Sequence, residues 1–446
     1  MTSTTPTDAP TATAAARLRV GVVGVGQRAY IAHHVAASGE AADLVVAADT
    51  TPEGRDRAAV EFPGVAVVAS HHDLVGRVDA AIVTTPDSTH AAIAIDLLRA
   101  GIAVYLEKPL ATTVADADAI LGVAAETGTP LYVGHNFRHA AVVRLMHDVI
   151  ARGEIGEVKT IWVRHFVGNG GDYYFKDWHA DRSQTGTLLL QKASHDIDVV
   201  HLLAGAFTQR VVGMGDLMVY GDVDDRRERP GETVGDWFSF DNWPPASATG
   251  LNPVVDVEDV SMMMMTLDNG VVASYQQCHF TPDYWRNYTV VGTEGRLENV
   301  GDTGGGVVKV WNRRHDWQVA GDVEYPIDGV EAGHADADVA AVTEFLAFVA
   351  RGVLPTLSPV AARAAVAAGA LAAESLRDGS TPRDVPPLPD AVLAHFARLS
   401  ASPSAASTSA APTSAAPKSA APVTAASSST APTASAGSSS PDPVAP

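Results

Sequence analysis

The chain has 446 residues, with 31 lysines and arginines against 52 aspartates and glutamates and a formal net charge of −21. That balance argues against nucleic acid or an anionic membrane surface as partner, because phosphate-rich surfaces are bound by basic patches. The single cysteine, Cys278, rules out an internal disulfide framework and fits a reducing compartment, so a cytoplasmic location is expected.

The length exceeds one ordinary core and suits two domains with tails. No stretch has the apolar length of a membrane helix. Residues 1–16 are rich in Thr, Ala and Pro and lack the basic start and apolar stretch of a secretory leader; they are expected to be a disordered N-terminus. Arg17 to Val23 is a β-branched apolar run and predicts the first strand. It leads into Gly24-Val25-Gly26-Gln27-Arg28-Ala29, a G-x-G-x-x-A turn, then a helical stretch from Ala29 to Ser38. A second strand, Leu44 to Ala48, ends at Asp49. In this arrangement Gly24 permits a tight turn, Gly26 lets backbone approach a pyrophosphate, and Ala29 lets helix and strand pack closely. The start of the helix, at Gln27 and Arg28, offers free N–H groups to phosphate. Asp49 would accept hydrogen bonds from the adenosine ribose. An acid there repels a 2′-phosphate and favours NAD, while nearby Arg55 and Arg57 keep NADP open.

Further short strands follow at Val65–Val68, Ala80–Val83, Val104–Leu106 and Leu131–Gly134, with helical patterns at Ala91–Ala100 and Val114–Thr127 between them. Such alternation predicts a doubly wound parallel sheet with helices on both faces, a dinucleotide-binding domain over 17–150. The strand at Ile102–Leu106 runs into Glu107-Lys108-Pro109. A lysine there projects into the crevice beyond the carboxyl ends of parallel strands. The adjacent pairs His33-His34 and His71-His72 are expected to diverge on helices.

A second domain, 151–385, is predicted from Val158–Phe166, Val211–Tyr220, a hairpin of Asp259–Leu267 and Gly270–His279 over Asp268-Asn269-Gly270, and strands at Trp285–Val291, Gly295–Asn299 and Val307–Trp311. The run Met262 to Met265 reads as strand core. A helical pattern from Leu188 to Leu203 carries His195. Before it, Tyr173, Tyr174, Trp178, His179 and Arg182 crowd a loop suited to stacking on a sugar ring. The long segment 221–258 is expected to cap the site or an oligomer contact. His334, Asp336 and Asp338 look like a metal cluster, but acids opening a helix are favoured by its dipole, and no metal is expected. From Ser400 to Pro446 the chain is almost entirely Ala, Ser, Thr, Pro and Gly, too poor in large apolar groups to offset backbone entropy; the 400–446 tail is expected to be disordered.

Taken in order, several stretches resemble the Gfo/Idh/MocA family of oxidoreductases: Gly24 to Ala29; Thr84-Thr85-Pro86 with His90; Glu107-Lys108-Pro109; Gly134-His135-Asn136-Phe137-Arg138; Ser194-His195-Asp196-Ile197-Asp198; Gly292-Thr293-Glu294-Gly295; and Gly333-His334. The resemblance implies an N-terminal Rossmann domain and a C-terminal α+β domain with an open, mostly antiparallel sheet, which forms the substrate wall and a homo-oligomer interface. Helices near 335–378 would partly return to the first domain. It adds Thr85, Pro86, His90, Glu107 and Lys108 to the cofactor set and Arg138 to Lys108 and His195 at the substrate, where Trp178, Gln191 and Lys192 are further candidates from their own chemistry.

Moving hydride between a carbinol carbon and nicotinamide needs a group to take the hydroxyl proton, and histidine suits that step. His195 is the expected acid/base group and Lys108 the electrostatic partner of the developing alkoxide. Many family members place an aspartate where this chain has Gln191, which carries no charge; Lys192 follows it. Asp198, three residues past His195, is a candidate to orient the imidazole. The leading expectation is NAD(P)-dependent oxidation or reduction of a sugar, cyclitol or related polyol. Its rivals are an NAD-dependent glycosidase working by transient oxidation and elimination, and a non-catalytic dinucleotide-binding regulator.

Overall fold

The computed structural model describes residues 17–328 and 335–400. The expected disordered segments at 1–16 and 401–446, and the Gly333-His334 pair, lie outside the described residues. The β-branched runs pair as a six-stranded parallel sheet of β1 (Leu18–Val23), β2 (Ala42–Ala48), β3 (Ala66–Val68), β4 (Ala80–Val83), β5 (Ala103–Glu107) and β6 (Leu131–Gly134). Their order is β3-β2-β1-β4-β5-β6. Every residue of β4 and β5 is buried, which explains why their sequences are apolar runs without alternation. The order reverses between β1 and β4, and that reversal opens a crevice beyond their carboxyl ends.

Between β1 and β2 the expected helix is a 3-10 turn, Gln27–His33, running into a single α-turn, His34–Ala37. Apolar residues three apart face the core in either winding, so the hydrophobic pattern does not tell them apart. The helix Val114–Thr127 begins where Thr113 accepts the N–H of Asp116 at 3.1 Å.

The second sheet has nine strands: β7 (Val158–Phe166), β8 (Thr208–Asp216), β9 (Val260–Leu267), β10 (Val272–Cys278), β11 (Trp285–Gly292), β12 (Arg296–Val300), β13 (Val307–Trp311), β14 (Val323–Pro326) and β15 (Arg383–Asp384). Their order is β14-β13-β12-β11-β7-β10-β9-β8-β15. Only β7 and β10 pair in parallel; the other pairs are antiparallel. The helices Ala141–Ala151, Ser194–Ala204 and Pro359–Arg377 cover one face. The methionine run corrects the reading of it as core. Met263 and Met265 are buried, whereas Met262 and Met264 point to the open face at 42% and 53% exposure, as the two-residue period of a strand requires.

The chain's last helices return to the first sheet. Ala341, Val342, Phe345 and Leu346 of the helix Ala335–Arg351 join Tyr105 and Tyr132 in one apolar cluster. Val366 of the helix Pro359–Arg377 packs with Leu121 and Leu190 on the sheet's other side. The segment 221–258 is folded rather than loose. Trp237 Nε1 donates to the Asp172 carbonyl at 2.8 Å, and Asn242 Nδ2 donates to the Asp172 carboxylate at 2.8 Å. Beneath it lies a small core that includes Phe175, Tyr220 and Leu251.

Phe345 is fully buried, with its ring centroid 5.7 Å from that of Tyr105 and 6.1 Å from that of Tyr132. Phe345→Ala should lower unfolding free energy by about 3–5 kcal/mol in urea titration. A loss under about 1 kcal/mol would show that the returning helix does not anchor the first domain.

Candidate active site

A cavity of about 520 Å³ starts at the switch point of the parallel sheet and ends against the second domain. Its outer end is built from Asp49, Thr50, Thr51 and Arg57, its middle from Gly24, Gly26, Thr85 and Pro86. Gly24 has φ +86°, and a Cβ there would stand 2.6 Å from the Thr85 side chain. A Cβ on Gly26 would meet nothing within 4 Å, because this backbone borders open space. Gln27 and Arg28 also line the wall, while Ala29 is buried behind it and packs in the core.

Asp49 holds Thr51, the cap of the following helix. Its Oδ1 accepts from Thr51 N at 2.8 Å and Thr51 Oγ1 at 2.7 Å, and Oδ2 accepts from Val25 N at 2.8 Å. A carboxylate has about four acceptor sites, so one remains for a ribose hydroxyl. Arg55 and Arg57 donate to backbone carbonyls, of Asp49 and of Val25 respectively. The open backbone at Gly26 and this carboxylate fit a dinucleotide held with its adenosine at the outer end.

Two expected cofactor residues act through others. Arg28 lines the cleft but is held on both sides, by Glu107 (Nε–Oε1 3.2 Å) and by Asp338 (3.0 Å). His90 lies outside the lining altogether. It is fully buried, with Nδ1 at 2.8 Å from the Pro109 carbonyl and Nε2 at 3.0 Å from that of Thr85. It therefore positions the backbone of the cis Lys108–Pro109 turn and of Thr85 instead of touching a ligand.

The inner end gathers Lys108, Trp178, Gln191, Lys192 and His195. Lys108 Nζ donates to the Gln191 carbonyl at 3.0 Å, where the helix Leu188–Gln191 stops and Ser194–Ala204 begins. The single helical pattern read from the sequence is thus broken at Lys192 and Ala193, and the break exposes a carbonyl to the lysine. His195 follows on the next turn, its ring centroid 6.1 Å from those of His135 and Phe137. Burial lowers the Lys108 amine from the ordinary lysine range, opposed by Asp87 and Glu107. Burial likewise pushes the Asp87 carboxyl up to about 7, opposed by Lys108.

Arg138 and Asp198 correct the sequence reading. Arg138, expected at the substrate, is outside the cavity lining and forms a two-pronged pair with Asp198 (Nη2–Oδ1 2.8 Å). Asp198 is therefore committed to Arg138. A buried guanidinium demands a planar acid partner, and the fold supplies one sixty residues on. The pair His71-His72 does not diverge. On a short 3-10 turn the rings lie 4.0 Å apart, and His71 reaches Asp96 at 3.2 Å.

Asp87 and the strip Glu232-Thr233-Val234 also line the cleft and were not singled out by sequence, and Asn136, quoted only within the Gly134–Arg138 stretch, lines it too. Asp87 had a signal, standing directly after Thr84-Thr85-Pro86. The strip belongs to the 221–258 segment, which caps the outer end. A Cβ on Gly231 would come within 3.2 Å of Glu53 in the first domain. Among the described residues, no helix is long and apolar enough to cross a membrane.

Comparison with known proteins agrees with this architecture. Residues 18–135 match the NAD-binding Rossmann fold of the Gfo/Idh/MocA oxidoreductase family, and residues 147–385 match that family's C-terminal alpha/beta domain. The chain belongs to the Gfo/Idh/MocA oxidoreductase family. It is 31% identical to myo-inositol dehydrogenase Hyg17 of Streptomyces leeuwenhoekii over 46% of this chain and 64% of that one. It is 29% identical to 1-carboxy-3-chloro-3,4-dihydroxycyclo hexa-1,5-diene dehydrogenase of Comamonas testosteroni, over 52% of this chain and 57% of that one. The chain thus spans under two thirds of the length of these curated relatives. The solved structure of levoglucosan dehydrogenase in complex with NADH and levoglucosan superposes with a TM-score of 0.67 at 20% identity, over 83% of this chain and all of that one. At that identity the likeness concerns the fold.

Asp198→Asn would leave the Arg138 guanidinium, only 12% exposed, without its counter-ion. Stability should fall by about 3–5 kcal/mol in denaturant titration. A change under about 1 kcal/mol would show the pair to be dispensable.

Proposed function

We propose that this protein is an NAD-dependent oxidoreductase that exchanges hydride with a hydroxyl or keto carbon of a sugar, cyclitol or related polyol. The observation that carries the reading is the meeting of Lys108 and His195 on the wall of one cavity that begins at the Gly24–Ala29 turn. The relatives support the substrate class: their names specify a cyclitol, a cyclic diol and an anhydrosugar.

NAD, when bound, supplies the hydride acceptor. Gly24, Gly26, Gln27, Thr85 and Pro86 line the part of the cavity that would hold it, and Asp49 would accept from its ribose. Lys108, anchored by the Gln191 carbonyl, presents its amine to the substrate hydroxyl and stabilises negative charge on that oxygen as the C–H bond breaks. His195 takes the hydroxyl proton on an imidazole nitrogen in oxidation and returns it in reduction. Trp178, Gln191 and Lys192 surround the rest of the substrate. Tyr174 and Trp178 give flat apolar faces for a ring.

We also propose that two copies meet through the open face of the nine-stranded sheet. Trp162, Met214, Met262 and Met264 stand there at 54%, 58%, 42% and 53% exposure. Met262 pairs in register with Met214, so the group is continuous. An exposed apolar patch on a sheet is ordinarily covered.

The decisive assay is a sugar and polyol panel read by NADH absorbance. Stoichiometric NADH identifies a dehydrogenase; aglycone release without net NADH would replace it by a glycosidase. Lys108→Ala should cut turnover by about 10²–10³ and His195→Asn by about 10²–10⁴, with NADH still bound. Unchanged turnover in either variant removes that residue from the reaction. For the interface, Met264→Arg should lower the mass seen by light scattering; an unchanged oligomer would place the contact elsewhere.

A further inference from the structure

Around the inner cleft the cations Lys108, Lys192 and Arg286 stand among the acids Asp87, Glu107, Asp196 and Asp302. Arg286 faces Asp196 at 3.2 Å, and Asp196 also meets His165 at 3.1 Å and the Tyr288 hydroxyl. Lys108 has the Gln191 carbonyl and the nearby acids Asp87 and Glu107. Lys192 feels Asp196 and Asp302 only at longer range and bonds to neither. Its residue is 4% exposed, it lines the cavity, and among the described residues no acceptor or carboxylate lies within bonding distance of its amine. Its one close feature is the Tyr174 ring, with Nζ 5.7 Å from the centroid. The preceding side chain, Gln191, is a neutral amide whose buried Oε1 is also without a partner.

We propose that Lys192 is the counter-ion for a carboxylate on the substrate, so that the molecule oxidised is a sugar or cyclitol hydroxy acid instead of a neutral polyol. This rests on the reading that hydride transfer occurs at Lys108 and His195 in the same cleft. An isolated buried ammonium is costly, and a ligand that supplies the missing charge removes that cost. One unmatched cation calls for one negative charge. A phosphate dianion would bring a second charge with nothing free to meet it, since Lys108 is engaged at the reacting hydroxyl.

The surroundings give the proton linkage its sign. Burial, then Arg286 and Lys108, push the Lys192 amine well below the ordinary lysine range, against the pull of Asp196 and Asp302. Burial holds the imidazoles of His165 and His179 at about 3 and that of His279 well below its ordinary value, so these are neutral near pH 7. Burial also pushes the Tyr174 hydroxyl upward, leaving it neutral. The empty cleft therefore disfavours the ammonium, and an arriving carboxylate favours it. Binding of the acid takes up a proton, and affinity falls as pH rises.

The test uses the full chain loaded with NADH, which cannot oxidise the probe, in titration calorimetry with D-glucuronate, D-glucose, methyl D-glucuronate and D-glucose 6-phosphate. We expect D-glucuronate to bind at least about tenfold tighter than the two neutral probes and the phosphate. Its enthalpy should change between phosphate and Tris buffers as proton uptake requires, a readout that needs no variant. Lys192→Gln should abolish the preference for the acid while NADH still binds. Equal or tighter binding of a neutral sugar or of the phosphate, no proton uptake, an unchanged preference in Lys192→Gln, or no binding of the acid overturns the proposal. Turnover with NAD separates the two readings. NADH from neutral polyols but not from acids keeps the dehydrogenase and discards the carboxylate site. Lys192-dependent binding of the acid with no NADH from any probe does the reverse.

Discussion

One carboxylate ties the working parts of this molecule together. Asp338, near the start of the returning helix, accepts from Arg28 at 3.0 Å, from the Tyr30 hydroxyl at 2.6 Å and from Asn136 Nδ2 at 2.6 Å. Burial pushes its pKa upward, but the Arg28 charge and the hydrogen bonds from Arg28, Tyr30 and Asn136 together bring it below the ordinary carboxylate value, so the group stays ionised. Arg28 in turn grips Glu107, whose other oxygen takes the Lys108 backbone N–H at 3.1 Å. The glycine turn, the end of β5, the end of β6 and the last third of the chain thereby share one charge network. The network ends on the backbone of Lys108.

The second constraint is the break at Lys192 and Ala193. A continuous helix would satisfy the Gln191 carbonyl four residues on. The interruption leaves it to side chains, the Ser194 hydroxyl at 3.4 Å and Lys108 from the other sheet at 3.0 Å. Two halves with separate cores are thus joined at the place where the reaction is proposed, by a lysine whose desolvation is only partly offset by Asp87 and Glu107. The same break turns Lys192 into the cleft, so the residue after the anchor and the residue that grips the anchor share one pocket.

What was legible in the sequence was whatever is local. The parallel sheet is written in apolar runs, the nucleotide turn in two glycines and an acid one strand away, and the open mixed sheet in alternation and the Asp268-Asn269-Gly270 turn. Arg138, His90 and the methionines show where this stops. Arg138 and His90 are conspicuous polar residues near the expected site, but each is used up by a partner, Asp198 or a backbone carbonyl, that only the fold brings close. Met262 to Met265 is uniformly apolar, so nothing in composition reveals that every second side chain faces outward. Asp87 shows the reverse: an ordinary-looking acid after a proline becomes unusual only once burial places it beside Lys108.

The 221–258 strap has one further consequence. It is rooted in the second domain through Asp172, yet its strip Glu232-Thr233-Val234 borders the outer end of the cavity and its Gly231 leans on Glu53 of the first. A bridge that borders both banks ties the width of the channel's mouth to the spacing of the two domains.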